Sequence, residues 1–298
     1  MIFRLNNDIL ELTADTHGAE ILSVKRDGTE YIWNGDPAYW GRRTPVLFPF
    51  VGQVRGGVYR HKGIEYRMGQ HGFARDQEFE LYNETKDSLT FILRENEKTL
   101  AVYPFRFELF VTYVLKGDAV TVEWKVRNPG DGPLHFSIGG HPAFMCPIGG
   151  AGTWADYAIE LRKDGSALDA MVIRPIRDGG NVGNETKEIP LKAGRITPSD
   201  ELFAGDALIL ENSQVDEISL VNPEGNAYLT VNFDTPLVGI WSPVGKHAPF
   251  ICIEPWCGRT DSTDFAGELA EREFGNTLEP RGEFVRAYTI RFRRNMTI

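Results

Sequence analysis

Apolar and polar residues alternate with a period of two along most of the chain. In 119–127 (AVTVEWKVR), Val120, Val122, Trp124 and Val126 fall on one face, and Thr121, Glu123, Lys125 and Arg127 on the other. The stretch 227–233 puts Ala227, Leu229, Val231 and Phe233 on one side, and 284–292 repeats the pattern with Phe284, Tyr288, Ile290 and Phe292. Segments 88–93 and 105–115 are rich in β-branched and aromatic residues. Side chains of a strand point alternately to its two faces, so this pattern predicts many antiparallel strands, each with one buried face. Helical periodicity is scarce. Phe265, Leu269 and Phe274 in 264–274 would share a helical face, which predicts one short helix there, weakened by Gly267. There is no strand–helix alternation, internal repeat or linker of biased composition. The expected fold is all-β: a large antiparallel two-sheet sandwich with few short helices, built as a single domain over 1–298.

Composition agrees with this reading and narrows the partners. The 298 residues include 31 glycines and 17 prolines, the turn formers that many short strands require. A formal net charge of −10 repels phosphate backbones and anionic lipid, so neither nucleic acid nor a membrane is expected as a partner. Cys146, Cys252 and Cys257 are too few for a disulfide framework, and the start MIFRLNNDIL lacks the basic-then-apolar order of a signal peptide. A cytoplasmic location with reduced thiols is the expectation.

Several chemistries are excluded by motif. The chain has no G-x-x-x-x-G-K-[ST] loop and no G-x-G-x-x-G fingerprint. Ser137 in FSIGG lacks the leading glycine of a nucleophile elbow. His135, His141 and Cys146 are spaced as no closed zinc site is, so no metal is expected. His17, His61, His135 and His247 are read as ordinary polar residues, and Cys252 and Cys257 as inert packing.

Polar, aromatic and Gly/Pro residues concentrate instead in 41–57, 70–76, 135–147 and 239–261. His71 and His141 stand beside glycines, which let a ligand or backbone approach closely. Glu254 follows the apolar run FICI and precedes Pro255 and Trp256, a setting that desolvates a carboxylate and raises its basicity. Pairing of Glu254 with Arg259 is the structural alternative.

The stretches PVLFPFVG, QHGFARD, SIGGHPAF and FICIEPWCGRTDS stand in this order. Together they resemble the aldose 1-epimerases, the galactose mutarotase-like proteins, and most closely their LacX-like branch. The resemblance implies the large β-sandwich and a cofactor-independent interconversion of the α and β anomers of a hexopyranose. It implies Glu254 as the base that takes the anomeric hydroxyl proton and His141 as the acid at the ring oxygen. His71 would orient the pyranose, Asp206 would bind a hydroxyl, and Trp241 and Trp256 would form an apolar platform for the sugar. One departure stands out. Gln53 occupies the place of the family's arginine, and Arg55, two residues on and on the same face of a strand, is the alternative contact. Arg42 and Arg43 raise the possibility of an anionic sugar, since guanidinium groups match phosphate or sulfonate bidentately. A non-catalytic sugar-binding sandwich is the competing class. A glycosidase would need a second carboxylate across the bond, and only Glu254 stands out.

Overall fold

The computed structural model describes residues 1–177 and 179–294. Two large antiparallel sheets dominate it. The ten-stranded sheet runs from Ser166–Ala167 through Glu217–Val221, Glu283–Phe292, Ala119–Arg127 and Glu108–Lys116 to Glu80–Glu84. The eight-stranded sheet runs from Lys187–Pro190 through Leu208–Leu210, Leu237–Trp241, Phe250–Cys257 and Ile138–Gly140 to Val46–Leu47. A four-stranded sheet, Ile2–Asn6 to Thr29–Glu30, flanks them. One apolar cluster joins the inner faces, drawing Val122, Trp124 and Val126 from the first sheet and Val238, Ile240, Ile251 and Ile253 from the second. Among the described residues no helix is long and apolar enough to cross a membrane.

The period-two segments become strands for the reason that predicts them. In Ala119–Arg127 the four apolar positions are buried and the alternate residues are half-exposed. Strand Ala227–Phe233 departs from strict alternation, because Tyr228 and Thr230 are buried as well. The register shifts at Tyr228, which Val221 and Leu220 leave unpaired between Ala227 and Leu229, and its hydroxyl crosses the core to donate to the Met145 carbonyl of the other sheet; Thr230 bonds Ser219 on the neighbouring strand. The segment 105–115 is strand only from Glu108.

The helix expected over 264–274 is absent. Only a 3₁₀ turn, Leu269–Glu271, forms there. The amides of Phe265, Glu271 and Gly275 bond three residues back, to Ser262, Glu268 and Arg272, so the chain makes successive tight turns rather than a continuous ladder. Arg272 turns inward and donates to Asp261. The helices that do form are Glu97–Val102 and Asp200–Phe203, capped by Asn96 and Ser199.

Candidate active site

Strand Phe250–Cys257 is buried along its whole length. Its odd residues Ile251 and Ile253 face the core between the sheets, so alternation sends Phe250, Cys252, Glu254 and Trp256 to the opposite face. Two short strands pair with this one on the same side. Ile138–Gly140 sets Gly139 against Trp256, and Ala143–Met145 sets Ala143 against Cys252. The register is continuous across the intervening residues, and it places His141 opposite Glu254. Directly opposed residues of an antiparallel pair project from the same face. His141 Nε2 lies 3.3 Å from Glu254 Oε2, with side-chain exposures of 9% and 1%.

On the other flank Gly239 opposes Glu254. The two glycines explain how a tryptophan fits beside the carboxylate. A Cβ on Gly139 would lie 2.5 Å from Trp256 Cδ1, and one on Gly239 would lie 2.5 Å from its Cη2. The indole therefore lies across its own strand, with one end over each glycine. Gly239→Ala is expected to force the ring out of this bed and lower stability by about 1–3 kcal/mol, as overpacking does. Chemical denaturation would check it, and a change under 0.5 kcal/mol would mean that the ring moves freely.

Glu254 and His141 open onto a pocket of about 270 Å³, whose lining also includes His71, Asp206, Trp241 and Trp256. His71 reaches it from a loop stitched to the first motif. Its amide donates to the Gly52 carbonyl at 2.8 Å, and its Nδ1 accepts the Gly52 N–H at 3.1 Å. These bonds hold His71 at φ 66°, a left-handed conformation uncommon for a non-glycine residue. They also leave the neutral imidazole with its proton on Nε2. Asp206 stands exposed at the mouth, on the loop after Asp200–Phe203.

Burial sets the protonation of the central pair. It pushes the Glu254 carboxyl well above the usual carboxylate range; the Asp206 charge adds to this and the Trp256 side chain opposes it. Neither Glu254 oxygen has a hydrogen-bond partner of good geometry. Burial lowers His141 to about 3, with Arg75 and Arg42 acting in the same direction against its own backbone. His71 is likewise held well below the ordinary histidine value by burial, His141 and the same arginines.

Three expected contacts lie elsewhere. Gln53 is outside the pocket lining; its main chain exchanges hydrogen bonds with Thr260 Oγ1 at 3.1 and 2.8 Å. Arg55 donates to the Phe265 carbonyl and lines a separate depression. Arg43 donates to the Leu22 carbonyl at 2.7 Å and its neighbour Arg42 pairs with Asp76 at 2.8 Å. Arg259, the alternative partner of Glu254, instead pairs with Glu211 at 2.7 Å and with Glu273.

Sequence reasoning missed Trp40 and Arg75. Trp40 stacks on the His141 ring at 4.6 Å and meets Trp241 edge-on at 5.6 Å, so the imidazole is fixed from one side. Arg75 lines the pocket, anchored through Nη2 to the Gln70 carbonyl, with its buried Nε free of hydrogen bonds and 3.9 Å from Asp76 Oδ2. QHGFARD held the signal for Arg75; nothing local distinguished Trp40.

Comparison with known proteins gives the family. A family model described as aldose 1-epimerase matches residues 1–291. Protein LacX of Lactococcus lactis subsp. lactis is 30% identical over 97% of this chain and 99% of its own. A galactose mutarotase related enzyme of Lactobacillus acidophilus superposes with a TM-score of 0.93 at 35% identity, covering 99% of this chain and 98% of that one. A galactose mutarotase-like protein of Lactobacillus casei gives 0.90 at 29% identity, over 98% and 100% of the two chains. With the sandwich, the four motifs and these matches together, the chain belongs to the aldose 1-epimerase family.

Proposed function

We propose that this protein is a cofactor-independent aldose 1-epimerase acting on a neutral hexopyranose. One observation carries the reading: Glu254 and His141 form a buried pair 3.3 Å apart at the head of a sugar-sized pocket. The hydroxyl oxygen and ring oxygen of a pyranose share the anomeric carbon, so the base and acid that open the ring must be neighbours. Glu254 takes the proton from the anomeric hydroxyl as His141 delivers one to the ring oxygen. The C1–O5 bond breaks and a C1 carbonyl forms. Opening leaves Glu254 protonated and His141 neutral, the arrangement that burial itself favours. The carbonyl carbon rotates, and both transfers reverse at its other face. The pair carries one proton throughout, so no external acid or base is consumed.

His71 donates from Nε2 to the sugar, Asp206 accepts a hydroxyl at the mouth, and Trp241 and Trp256 pack against its C–H surface. Arg75 provides the cation that Gln53 does not. Burial lowers Arg75 to about 10, which still leaves it charged at neutral pH. Arg42 and Arg43 are engaged by Asp76 and the Leu22 carbonyl and stand outside the pocket lining, which favours a neutral sugar over an anionic one. The motif residues span 71 to 254, which fits a single folding unit, and a cytoplasmic setting suits a chain whose three cysteines are free.

Freshly dissolved α-glucose and α-galactose, followed by polarimetry or NMR exchange, test the reading. Saturable acceleration is expected, and glucose 6-phosphate is expected to react with kcat/KM no higher than glucose. Sugar binding without acceleration would leave the non-catalytic class standing. A strong preference for the phosphate would overturn the neutral-sugar assignment.

A further inference from the structure

A ring nitrogen of His141, the Cys252 thiol and a Glu254 oxygen lie within 4.8 Å of one another, and all three residues are buried. The sheet produces this grouping. Cys252 precedes Glu254 by two residues on the same face, and it opposes Ala143 and Trp241 across the two flanking strands. His141 therefore opposes Glu254 directly and Cys252 diagonally, a relation that intervals along the sequence do not reveal. A nitrogen, a sulfur and an oxygen donor form the mixed set that borderline-soft divalent cations accept. The 3.3 Å between His141 Nε2 and Glu254 Oε2 is close to the edge of a tetrahedral shell with metal–ligand distances of about 2.0–2.2 Å. The Glu254 oxygens, in a side chain 1% exposed, hold no hydrogen bond of good geometry.

We infer that His141, Cys252 and Glu254 form an inhibitory site for a divalent cation of the zinc class. Three protein ligands leave the fourth position facing the pocket, where water or a sugar hydroxyl completes the shell. The ion displaces two protons, that of the Cys252 thiol and that of the Glu254 carboxyl, both of which leave to solvent, and no oxidant or reductant takes part. It occupies the lone pairs that both proton transfers require, so bound metal and turnover exclude each other. The inhibitory half of this inference rests on the proposed epimerase reading; binding itself does not.

Zinc chloride titrated into metal-free protein, with mutarotation of α-glucose as the first readout, gives the test. Inhibition that competes with sugar is expected. Cys252→Ala is expected to keep wild-type turnover without zinc, since the thiol lies outside the pocket lining. The same variant should weaken zinc inhibition by more than roughly 10–100-fold, the loss that follows from altering only the outer shell of a metal site, since it removes a ligand itself. Cobalt(II) gives a second readout independent of activity: a thiolate-to-cobalt absorption present in wild type and missing in Cys252→Ala. Equal zinc sensitivity of the two proteins, or no cobalt–thiolate band in wild type, would overturn the site. No acceleration of any sugar by metal-free protein, with the cobalt band present, would sink the epimerase reading and the inhibitory role while leaving the metal site in place.

Discussion

Glu254→Gln is expected to lower kcat for α-glucose by about 10²–10⁴-fold, the range that a positioned proton-transfer group contributes. The amide has the size of the carboxyl but cannot take the anomeric proton. Stability should change by about 0.5 kcal/mol or less. Burial already favours the uncharged acid in the empty pocket, so the substitution alters neither volume nor charge there. Loss of turnover without loss of fold separates a catalytic role from a structural one. His141→Asn should cause a loss of similar order. The double variant should fall little further, because a proton relay with either end missing is already broken. Full acceleration by Glu254→Gln would remove the carboxylate from the mechanism. Additive losses in the double variant would mean that the two residues act in separate steps.

The partnership of these residues was only half legible in the sequence. Alternation in FICIEPWC tells that Cys252, Glu254 and Trp256 share a face, because side-chain direction in a strand is a local property. The pairing of His141 with Glu254 is not local. It depends on two three-residue strands holding one register across residues 141–142, and such short strands carry little pattern of their own. Likewise Gly139 and Gly239 look like turn residues until the indole of Trp256 is seen between them. The arginines show the converse limit. Arg42, Arg43 and Arg55 cluster along the chain, but Arg43 and Arg55 reach nearby carbonyls and Arg42 reaches Asp76. Arg75 instead enters the site because the 3₁₀ turn Ala74–Asp76 directs it there. Long charged side chains choose among partners in space, so their order in sequence says little about where their heads lie. The helix expected over 264–274 gives way to successive tight turns whose side-chain partners are likewise set in space, Arg272 with Asp261 among them.

Asp261→Ala is expected to be the most destabilising of these substitutions, by about 3–5 kcal/mol, because it strands a buried cation. Asp261 is 6% exposed and serves several chain segments at once. Its Oδ1 accepts from Arg272 Nε at 2.6 Å and its Oδ2 from the Arg55 amide at 2.8 Å. Its own amide donates to the Gln53 carbonyl, and its carbonyl accepts from Val182. Arg272, also 6% exposed, lies with its guanidinium 4.7 Å from the Phe50 ring centre and already has an unpartnered Nη1. Removing the carboxylate leaves that charge with little to balance it. Replacing both residues, as Asp261→Ala with Arg272→Met, should recover only part of the loss. The charge is gone, but the Arg55 amide remains an orphan donor, which costs about 1–3 kcal/mol where it stays dry. The site should feel the single change as well. Thr260, which lines the pocket, donates to the carbonyls of Gln53 and Gly180, and loosening its neighbour frees that wall. Urea denaturation and a rise in KM larger than any fall in kcat are the expected signatures. A cost below about 1 kcal/mol would place this network with solvent-screened surface pairs, and would detach it from the support of the pocket.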